Sequence, residues 1–208
     1  MLPHVRKIAF WPLYSGKSTA PVPGRAGWPK TSSRNGRVTH VIIRREEPAD
    51  VAAIRRVNER AFGGTAEANA IDLLRDRGAA TLSLVAVIDD RVVGHLFFSP
   101  VTIESIDRTW PGLGLAPLSV LPEYQRQGIG TALILTGLEE CRRLGHERII
   151  VLGHPAYYPR FGFERASRYG VRFEFEAPDE ACLILALRPG ALDGVDGVAR
   201  YQPEWNGV

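Results

Sequence analysis

A glycine-bearing segment after an apolar run is the part of this chain best suited to chemistry. Leu118-Ser119-Val120 reads as the end of a strand, Gln125-x-x-Gly128-x-Gly130 as a loop, and the residues from Ile129 onward as a helix. The first N–H groups of a helix have no intrahelical partner, and the helix dipole adds about half a positive charge there. Glycine also lets a ligand approach the main chain closely. The segment therefore predicts a cradle for a phosphate or pyrophosphate group.

Two kinds of phosphate-binding loop compete for this segment. A dinucleotide-binding loop needs G-x-G-x-x-G, but Leu133 stands where the third glycine belongs. Such a loop also leaves its strand at once, whereas Pro122 to Gln127 intervene here. The remaining pattern, Gln125-x-x-Gly128-x-Gly130, resembles the Q/R-x-x-G-x-G/A loop that binds acyl-CoA in the GCN5-related N-acetyltransferases (GNAT superfamily).

Two further stretches carry the same resemblance. Gly94-His95-Leu96-Phe97-Phe98-Ser99-Pro100 and the run from Val151 to Phe163 are similar to the YhbS-like branch of predicted N-acetyltransferases, over roughly residues 41 to 190. The resemblance implies an α+β fold with a mixed, mainly antiparallel twisted sheet, one βαβ unit and two parallel strands that splay apart. It also implies acetyl-CoA as co-substrate, no metal, and an amine acceptor that the branch does not specify.

The resemblance further implies which residues bind the acyl donor. The backbone of the strand end would pair with the pantetheine arm as an added strand does, and the Val120 amide would stabilise the oxyanion. Arg126 is suited to a phosphate contact because a guanidinium binds phosphate well. The whole expected set is Leu118, Ser119, Val120, Gln125, Arg126, Gln127, Gly128, Ile129, Gly130 and Thr131.

Tyr158 is the candidate general acid. It stands four residues before Gly162 in Tyr-x-x-x-Gly-Phe, where many members of the superfamily carry this tyrosine. A phenol with a pKa of about 10 can protonate the departing CoA thiolate. The alternative is a tyrosine packed in a short helix with its hydroxyl on backbone. Tyr157 beside it is interpreted as structural or as facing the acceptor.

The general base is left open by the sequence. Glu67, Glu104 and His154 could border the acceptor cleft, although each is more ordinary as a solvated or satisfied side chain. His95, which follows Gly94 in a strand, is interpreted as structural.

Two functions fit these residues: an N-acetyltransferase in which a primary amine attacks acetyl-CoA directly in a ternary complex, and a non-catalytic acyl-CoA-binding regulatory module.

Composition limits the remaining classes. A chain of 208 residues, 45% apolar and 24% charged, is typical of one globular domain with extensions. No apolar run approaches the roughly 20 residues that span a bilayer. Cys141 and Cys182 form neither a disulfide framework nor a metal-ligand cluster, so buried reduced thiols are expected. These features predict a cytoplasmic protein; a homodimer is compatible with them.

The N-terminal 40 residues differ from the rest. They hold seven basic side chains and no acidic one, which leaves the other residues with a net charge of −4. The excess of basic residues thus lies in these N-terminal 40 residues, here called the arm, and nucleic-acid binding by the domain is disfavoured. The arm is predicted to be disordered. It is compatible with a non-native extension before Val38, a basic arm with a partner, or a targeting peptide.

Hydrophobic periodicity predicts the order of elements. We expect a domain over residues 41–190, followed by a tail over 191–208. Helices are expected over Val51–Phe62, Glu67–Arg77, Gly128–Leu144 and Tyr157–Phe161, and strands over Val41–Arg44, Leu82–Ile88, Val92–Phe98, Val101–Ile106, Leu113–Val120, Arg148–Leu152, Val171–Phe175 and Ala181–Leu187.

Overall fold

The structure, a computed structural model, describes residues 31–32 and 38–208, so the predicted disordered arm falls almost wholly outside the described residues. The helices are α1 (Val51–Phe62), α2 (Ala66–Asp76) and α3 (Ile129–Arg143). The strands are β1 (Thr31–Ser32), β2 (Val38–Thr39), β3 (Ile42–Arg45), β4 (Leu82–Ile88), β5 (Arg91–Glu104), β6 (Thr109–Val120), β7 (Arg148–Leu152), β8 (Glu164–Arg165), β9 (Val171–Phe173), β10 (Cys182–Ala186) and β11 (Gly197–Arg200).

The main elements follow the predicted order, with one strand longer than expected. The sequence predicts a break at Pro100, between strands ending at Phe98 and beginning at Val101, but β5 runs through it without interruption. This prediction was wrong because proline removes only an N–H donor. The Pro100 carbonyl still accepts a hydrogen bond from Gln202 Nε2 at 2.9 Å. Ile106, expected at the end of the second strand, is fully exposed in the turn after β5.

The described chain forms two compact units. The first unit holds residues 31–32, 38–98 and 116–141, and the second holds residues 99–115 and 142–208. Strands β5 and β6 are each divided between the two units. In the first unit the order is β3–β4–β5–β6, and β3, β4 and β5 pair in antiparallel fashion. All three helices lie in this unit, apart from the last two residues of α3.

Two glycines bring α3 close to β5 in the first unit. A Cβ at Gly137 of α3 would lie 2.7 Å from Leu96 and 2.9 Å from Phe98. On the strand, a Cβ at Gly94 would lie 3.1 Å from Leu133 and 3.2 Å from Ile129. A Cβ would clash at Gly137 and be crowded at Gly94, so the missing methyl groups let helix and strand pack closely. This packing fixes the N-terminus of α3, where the predicted phosphate cradle lies.

A buried chain of hydrogen bonds ties the first unit together. Asn58 Nδ2 donates to the Ile54 carbonyl at 2.9 Å and lies 3.2 Å from His95 Nδ1. That nitrogen must therefore accept, which leaves the ring proton on Nε2, 2.9 Å from Ser83 Oγ. Ser83 donates in turn to Glu46. The prediction that His95 is structural is supported by this network, because the ring is fully buried and both of its nitrogens are occupied.

The far end of this network is charged and joins another helix. Glu46 accepts from Arg75 of α2, at 2.8 Å from Nε and 3.1 Å from Nη2. This paired geometry gives a strong charge-assisted contact. Through Asn58, His95, Ser83, Glu46 and Arg75 the network links α1, β5, β4, the segment after β3 and α2.

Acid should destabilise this protein through His95. Burial lowers the pKa of His95 to about 3, against an ordinary 6.5. The folded ring stays neutral while the unfolded ring gains a proton below about pH 6.5, so stability is full above that pH and is lost as the pH falls towards 3. We expect a loss of about 2 kcal/mol in unfolding free energy between pH 7 and pH 5. Urea unfolding of the wild type and of His95→Gln at the two pH values measures this loss. If the unfolding free energy of the variant depends on pH as steeply as that of the wild type, His95 is not the cause.

The sheet of the second unit curls back on itself. Its strands lie in the order β9–β11–β5–β6–β7–β10–β8. If flat, this sheet would separate the outermost strands by about 29 Å, at about 4.8 Å per step. Only the short turn Ala166–Tyr169 joins β8 to β9, and six residue steps span at most about 20 Å. The curl encloses an apolar core that includes Ile103, Ile150 and Ala199.

The parallel pairing of the βαβ unit is short. Strands β6 and β7 pair in parallel at Leu113–Ile149 and Gly114–Ile150. On its other side β7 pairs along its whole length with β10, in antiparallel fashion, from Leu152–Cys182 to Arg148–Ala186. The predicted βαβ unit is thus present, with a parallel ladder of two residue pairs in the described part of the chain.

The last residues belong to the fold of the second unit. The sequence predicts a tail over residues 191–208, but β11 pairs with β5 on one side and with β9 on the other. Beyond it, Trp205 is buried and donates through Nε1 to Ser99 Oγ at 3.2 Å. The interpretation as a tail is therefore corrected. A four-residue strand has too short a pattern to predict a partner about a hundred residues earlier.

Candidate active site

The end of β6 in the first unit presents a backbone edge away from β5. Leu121 N–H donates to the Val93 carbonyl of β5 at 2.9 Å. Because N–H groups of successive strand residues point in opposite directions, the N–H and C=O of Val120 point away from β5. The Val120 carbonyl accepts from Gln125 Nε2 at 3.0 Å. Gln125 thus orders the loop after β6.

The loop after β6 is shaped by two left-handed residues. A short 3₁₀ turn, Pro122–Tyr124, follows the strand. Arg126 then has φ +60° and Gly128 φ +85°, a region that non-glycine residues seldom adopt. The first hydrogen bond of α3 runs from Ala132 N–H to the Gly128 carbonyl at 2.9 Å. The N–H groups of Ile129 and Gly130 therefore precede the helical ladder, as an anion site requires.

Side chains of the loop have different surroundings. Gln127 Nε2 donates to the Glu123 carbonyl at 3.0 Å, so this side chain braces the loop. Glu123 forms an exposed ion pair with Arg60 at 2.8 Å. Arg126 is exposed, which leaves its guanidinium accessible to a phosphate. Gly128 directly precedes α3, and Ile129, Gly130 and Thr131 are the first residues of the helix.

The strand end also carries a buried hydroxyl without a partner. Ser119 is fully buried, and its Oγ has no hydrogen bond to any residue in the described ranges. Leu118 and Val120 flank it on the strand, half-buried and buried respectively. A buried polar atom without a partner is uncommon in a native structure. Together with the loop N–H groups, it gives this segment unmet hydrogen-bonding capacity that a polar acyl donor fits.

Tyr158 lies in the second unit, packed against a glycine. It begins the 3₁₀ turn Tyr158–Phe161, which ends at Gly162 with φ +92°. A Cβ added at Gly153, just after β7, would overlap the Tyr158 ring, with Cδ2 only 2.6 Å away. Phe163 and Tyr157 contact the ring edge to face, at centroid distances of 5.5 and 5.2 Å. Burial raises the pKa of Tyr158 above the ordinary value for tyrosine, so the phenol is protonated at neutral pH.

The three candidate bases have different environments. Glu67 is buried in the first turn of α2. Glu104 is exposed, accepts from Thr102 Oγ1 at 2.9 Å and pairs with Arg200 at 3.4 Å. His154 Nδ1 accepts from the Ala156 N–H at 3.2 Å and so supports the turn before Tyr158. Glu104 and His154 thus have the satisfied surroundings that the alternative interpretation expects.

Sequence reasoning did not single out Gly153 or Tyr201. Gly153 matters because its missing side chain makes room for Tyr158, which only the three-dimensional packing reveals. Tyr201 follows β11 and faces the interior of the second unit, where its ring lies against Gly114. Val198-Ala199-Arg200-Tyr201 shows no apolar–polar alternation that would have pointed to Tyr201.

Comparison with known proteins identifies the family. Residues 42–166 match the acetyltransferase (GNAT) domain. The chain belongs to the GNAT family. It is 36% identical to the uncharacterized N-acetyltransferase YhbS of Escherichia coli (strain K12), over 80% of this chain and 99% of the relative. This GNAT protein is therefore an acyltransferase, as the loop and the Tyr-x-x-x-Gly-Phe motif predicted.

Solved structures give the same family. The crystal structure of YhbS from Escherichia coli in complex with CoA superimposes with a TM-score of 0.75 at 35% identity, covering 81% of this GNAT chain and 93% of the other. A GNAT family acetyltransferase from Brucella melitensis in complex with acetyl-CoA gives a TM-score of 0.66 at 38% identity, covering 80% and 98%. The predicted α+β GNAT fold is confirmed.

Two further features of the described residues bear on other kinds of site. None of the described helices is long and apolar enough to cross a bilayer. The same residues hold no group of three or more histidine, cysteine, aspartate or glutamate side chains placed to bind a metal ion.

Proposed function

We propose that this protein transfers an acetyl group from acetyl-CoA to a primary amine, which attacks the thioester directly in a ternary complex. The observation that carries the proposal is the loop between β6 and α3, where Gly128 at φ +85° leads into helix N–H groups that precede the hydrogen-bond ladder. Structural relatives that hold CoA and acetyl-CoA support the same donor.

The proposed donor site has two parts in the first unit. Gln125, Arg126, Gln127, Gly128, Ile129, Gly130 and Thr131 would hold the phosphates, chiefly through backbone N–H groups. Leu118, Ser119 and Val120 would pair with the amide groups of the pantetheine arm. Acetyl-CoA supplies the activated acyl group as its thioester. The Val120 N–H, which points away from β5, would donate to the oxygen that gains negative charge.

Tyr158 is proposed as the general acid. The phenol carries its proton at neutral pH, as an acid must before it donates, and the packing against Gly153 holds the ring in one position. A positioned acid of this kind typically accelerates a reaction by about 10²- to 10⁴-fold. The proton would pass to the departing thiolate, so the effect of losing it should appear in kcat and not in acetyl-CoA binding.

A cytoplasmic location is proposed from the thiols. Cys141 and Cys182 are both buried and are not joined in a disulfide, as the sequence predicted. Burial raises the pKa of Cys182 to about 11, so this group is a thiol and not a thiolate at neutral pH. Free thiols are typical of a reducing compartment.

An amine panel tests the proposed function. Purified protein is mixed with acetyl-CoA and separately with amino acids, polyamines, aminoglycosides, peptides with free N-termini and lysine-containing peptides, and CoA release is followed with a thiol reagent. We expect at least one class to give turnover well above hydrolysis, with the acetylated amine seen by mass spectrometry. Tight acetyl-CoA binding with no turnover for any class would favour the non-catalytic acyl-CoA-binding module instead.

A further inference from the structure

The C-terminal segment holds one half-buried tyrosine, Tyr201, against the core of the second unit. Tyr201 N–H donates to Glu174 Oε1 at 2.6 Å. The Tyr201 ring contacts Phe173 and Phe175, at centroid distances of 5.9 and 5.5 Å. On another side it lies against Gly114, where an added Cβ would be 2.8 Å from Cε1. The position of the Tyr201 ring is thus set by backbone, by aromatic neighbours and by a space that only glycine leaves.

Residues on both sides of Tyr201 are anchored as well. Before it, Ala199 pairs with Ile103 of β5 and with Phe173 of β9. After it, Gln202 Nε2 donates to the Pro100 carbonyl at 2.9 Å. These contacts place Tyr201 at the end of a strand that is bonded on two sides. Such a segment delivers a side chain to a fixed point, which is what a ligand-binding group requires.

The Tyr201 hydroxyl lacks a hydrogen-bond partner in the described protein. The oxygen is buried and lies near the Leu152 backbone, but it makes no hydrogen bond of normal geometry with any residue from 38 to 208. Buried hydroxyl groups nearly always form a hydrogen bond, so this exception indicates a hydroxyl whose partner is a bound ligand. Burial raises the pKa of Tyr201, so the group carries its proton and can donate.

The hydroxyl lies close to the candidate acid. Leu152, whose backbone it approaches, is followed by Gly153, against which the Tyr158 ring packs. Gly114, against which the Tyr201 ring lies, pairs with Ile150 of the same strand β7. Both phenols therefore stand at the C-terminal end of β7, although they come from segments more than forty residues apart in the sequence.

We propose that Tyr201 is a further substrate-binding residue of the transfer site, and that its hydroxyl donates a hydrogen bond to the acyl carbonyl oxygen of the bound thioester. The inference rests on the proposed function, since it uses the thioester that Tyr158 would serve. A carbonyl oxygen is a good acceptor, whereas the thiol of free CoA is a weak one. The hydroxyl would thus recognise the acyl donor and leave the product CoA unrecognised.

Binding of two related ligands tests this role without any knowledge of the amine. Acetyl-CoA and CoA are titrated calorimetrically into the wild type, Tyr201→Phe and Tyr169→Phe. The last is the matched control, because Tyr169 lies in the same unit with its hydroxyl on Glu164 at 3.0 Å. We expect Tyr201→Phe to weaken acetyl-CoA binding about 3- to 10-fold, the effect of one hydrogen bond, with CoA affinity changed less than about 2-fold. The control should change neither affinity by more than about 2-fold.

Thermal unfolding separates this role from packing. Tyr201→Phe keeps the ring and removes only an unpaired buried hydroxyl, so its melting temperature should equal or exceed that of the wild type. Unchanged affinity for both ligands would overturn the inference and leave Tyr201 as a core residue. Equal weakening of both ligands with a lower melting temperature would also overturn it. If the wild type binds neither ligand, the proposed function fails, which is a different result.

Discussion

Gly128→Glu should abolish acetyl-CoA binding, with affinity lowered at least about 100-fold, while the protein stays folded. Gly128 has φ +85°, so any side chain there is strained by about 1–2 kcal/mol. A carboxylate would also stand where the proposed phosphates bind, and like charges at close range oppose binding. The loss of affinity corresponds to about 2.7 kcal/mol or more. Isothermal titration of acetyl-CoA measures it directly.

Gly145→Glu provides the matched control. Gly145 has a similar φ of +83° and ends the same helix, and an added Cβ would meet nothing within 4 Å. The backbone strain of the two variants is therefore comparable, but Gly145 lies at the opposite end of α3 from the loop. We expect similar losses in melting temperature and unchanged acetyl-CoA affinity in Gly145→Glu. If both variants lose binding alike, the effect is one of stability, and the loop assignment is wrong.

The parts of the molecule that local pattern dictates were predictable from the sequence. β4 and β7 begin and end at the predicted residues, because short β-branched runs bounded by turn residues have few alternatives. Helix α3 was predicted within one residue at either end, since its apolar stripe begins after Gly128 and stops before Gly145. The loop could be recognised for the same reason, because its two glycines are separated by a single residue in the sequence.

What depends on distant packing could not be predicted. Strand β11 has only four residues, and its partners in β5 and β9 give it its structure. The network of Asn58, His95, Ser83 and Glu46 joins residues that look unremarkable in sequence, since polar side chains carry no periodic signal. Gly153 and Tyr201 belong to the same class, because each acquires its meaning from a side chain that the fold brings against it.

Tyr158→Phe should lower kcat about 100-fold or more and leave acetyl-CoA affinity within about 2-fold of the wild type. The substitution keeps the buried ring, its contact with Gly153 and its aromatic neighbours, and removes only the phenolic proton. The measurement is CoA release under saturating acetyl-CoA with the best amine from the panel, together with calorimetric titration. A kcat within about 3-fold of the wild type would rule out Tyr158 as the acid and favour its interpretation as a packing residue.

Gly153→Ala tests the same residue without touching its chemistry. The new methyl group would overlap the Tyr158 ring, so the ring must move, and we expect kcat to fall about 10- to 100-fold with a stability loss of about 1–3 kcal/mol. Gly64→Ala is the control, because Gly64 is exposed and an added Cβ there would meet nothing within 4 Å. If Gly153 acts only through Tyr158, the double variant should be no slower than Tyr158→Phe alone. If the losses in kcat are additive, Gly153 supports the reaction by another route. The proposal that Gly153 acts by positioning Tyr158 would then be wrong.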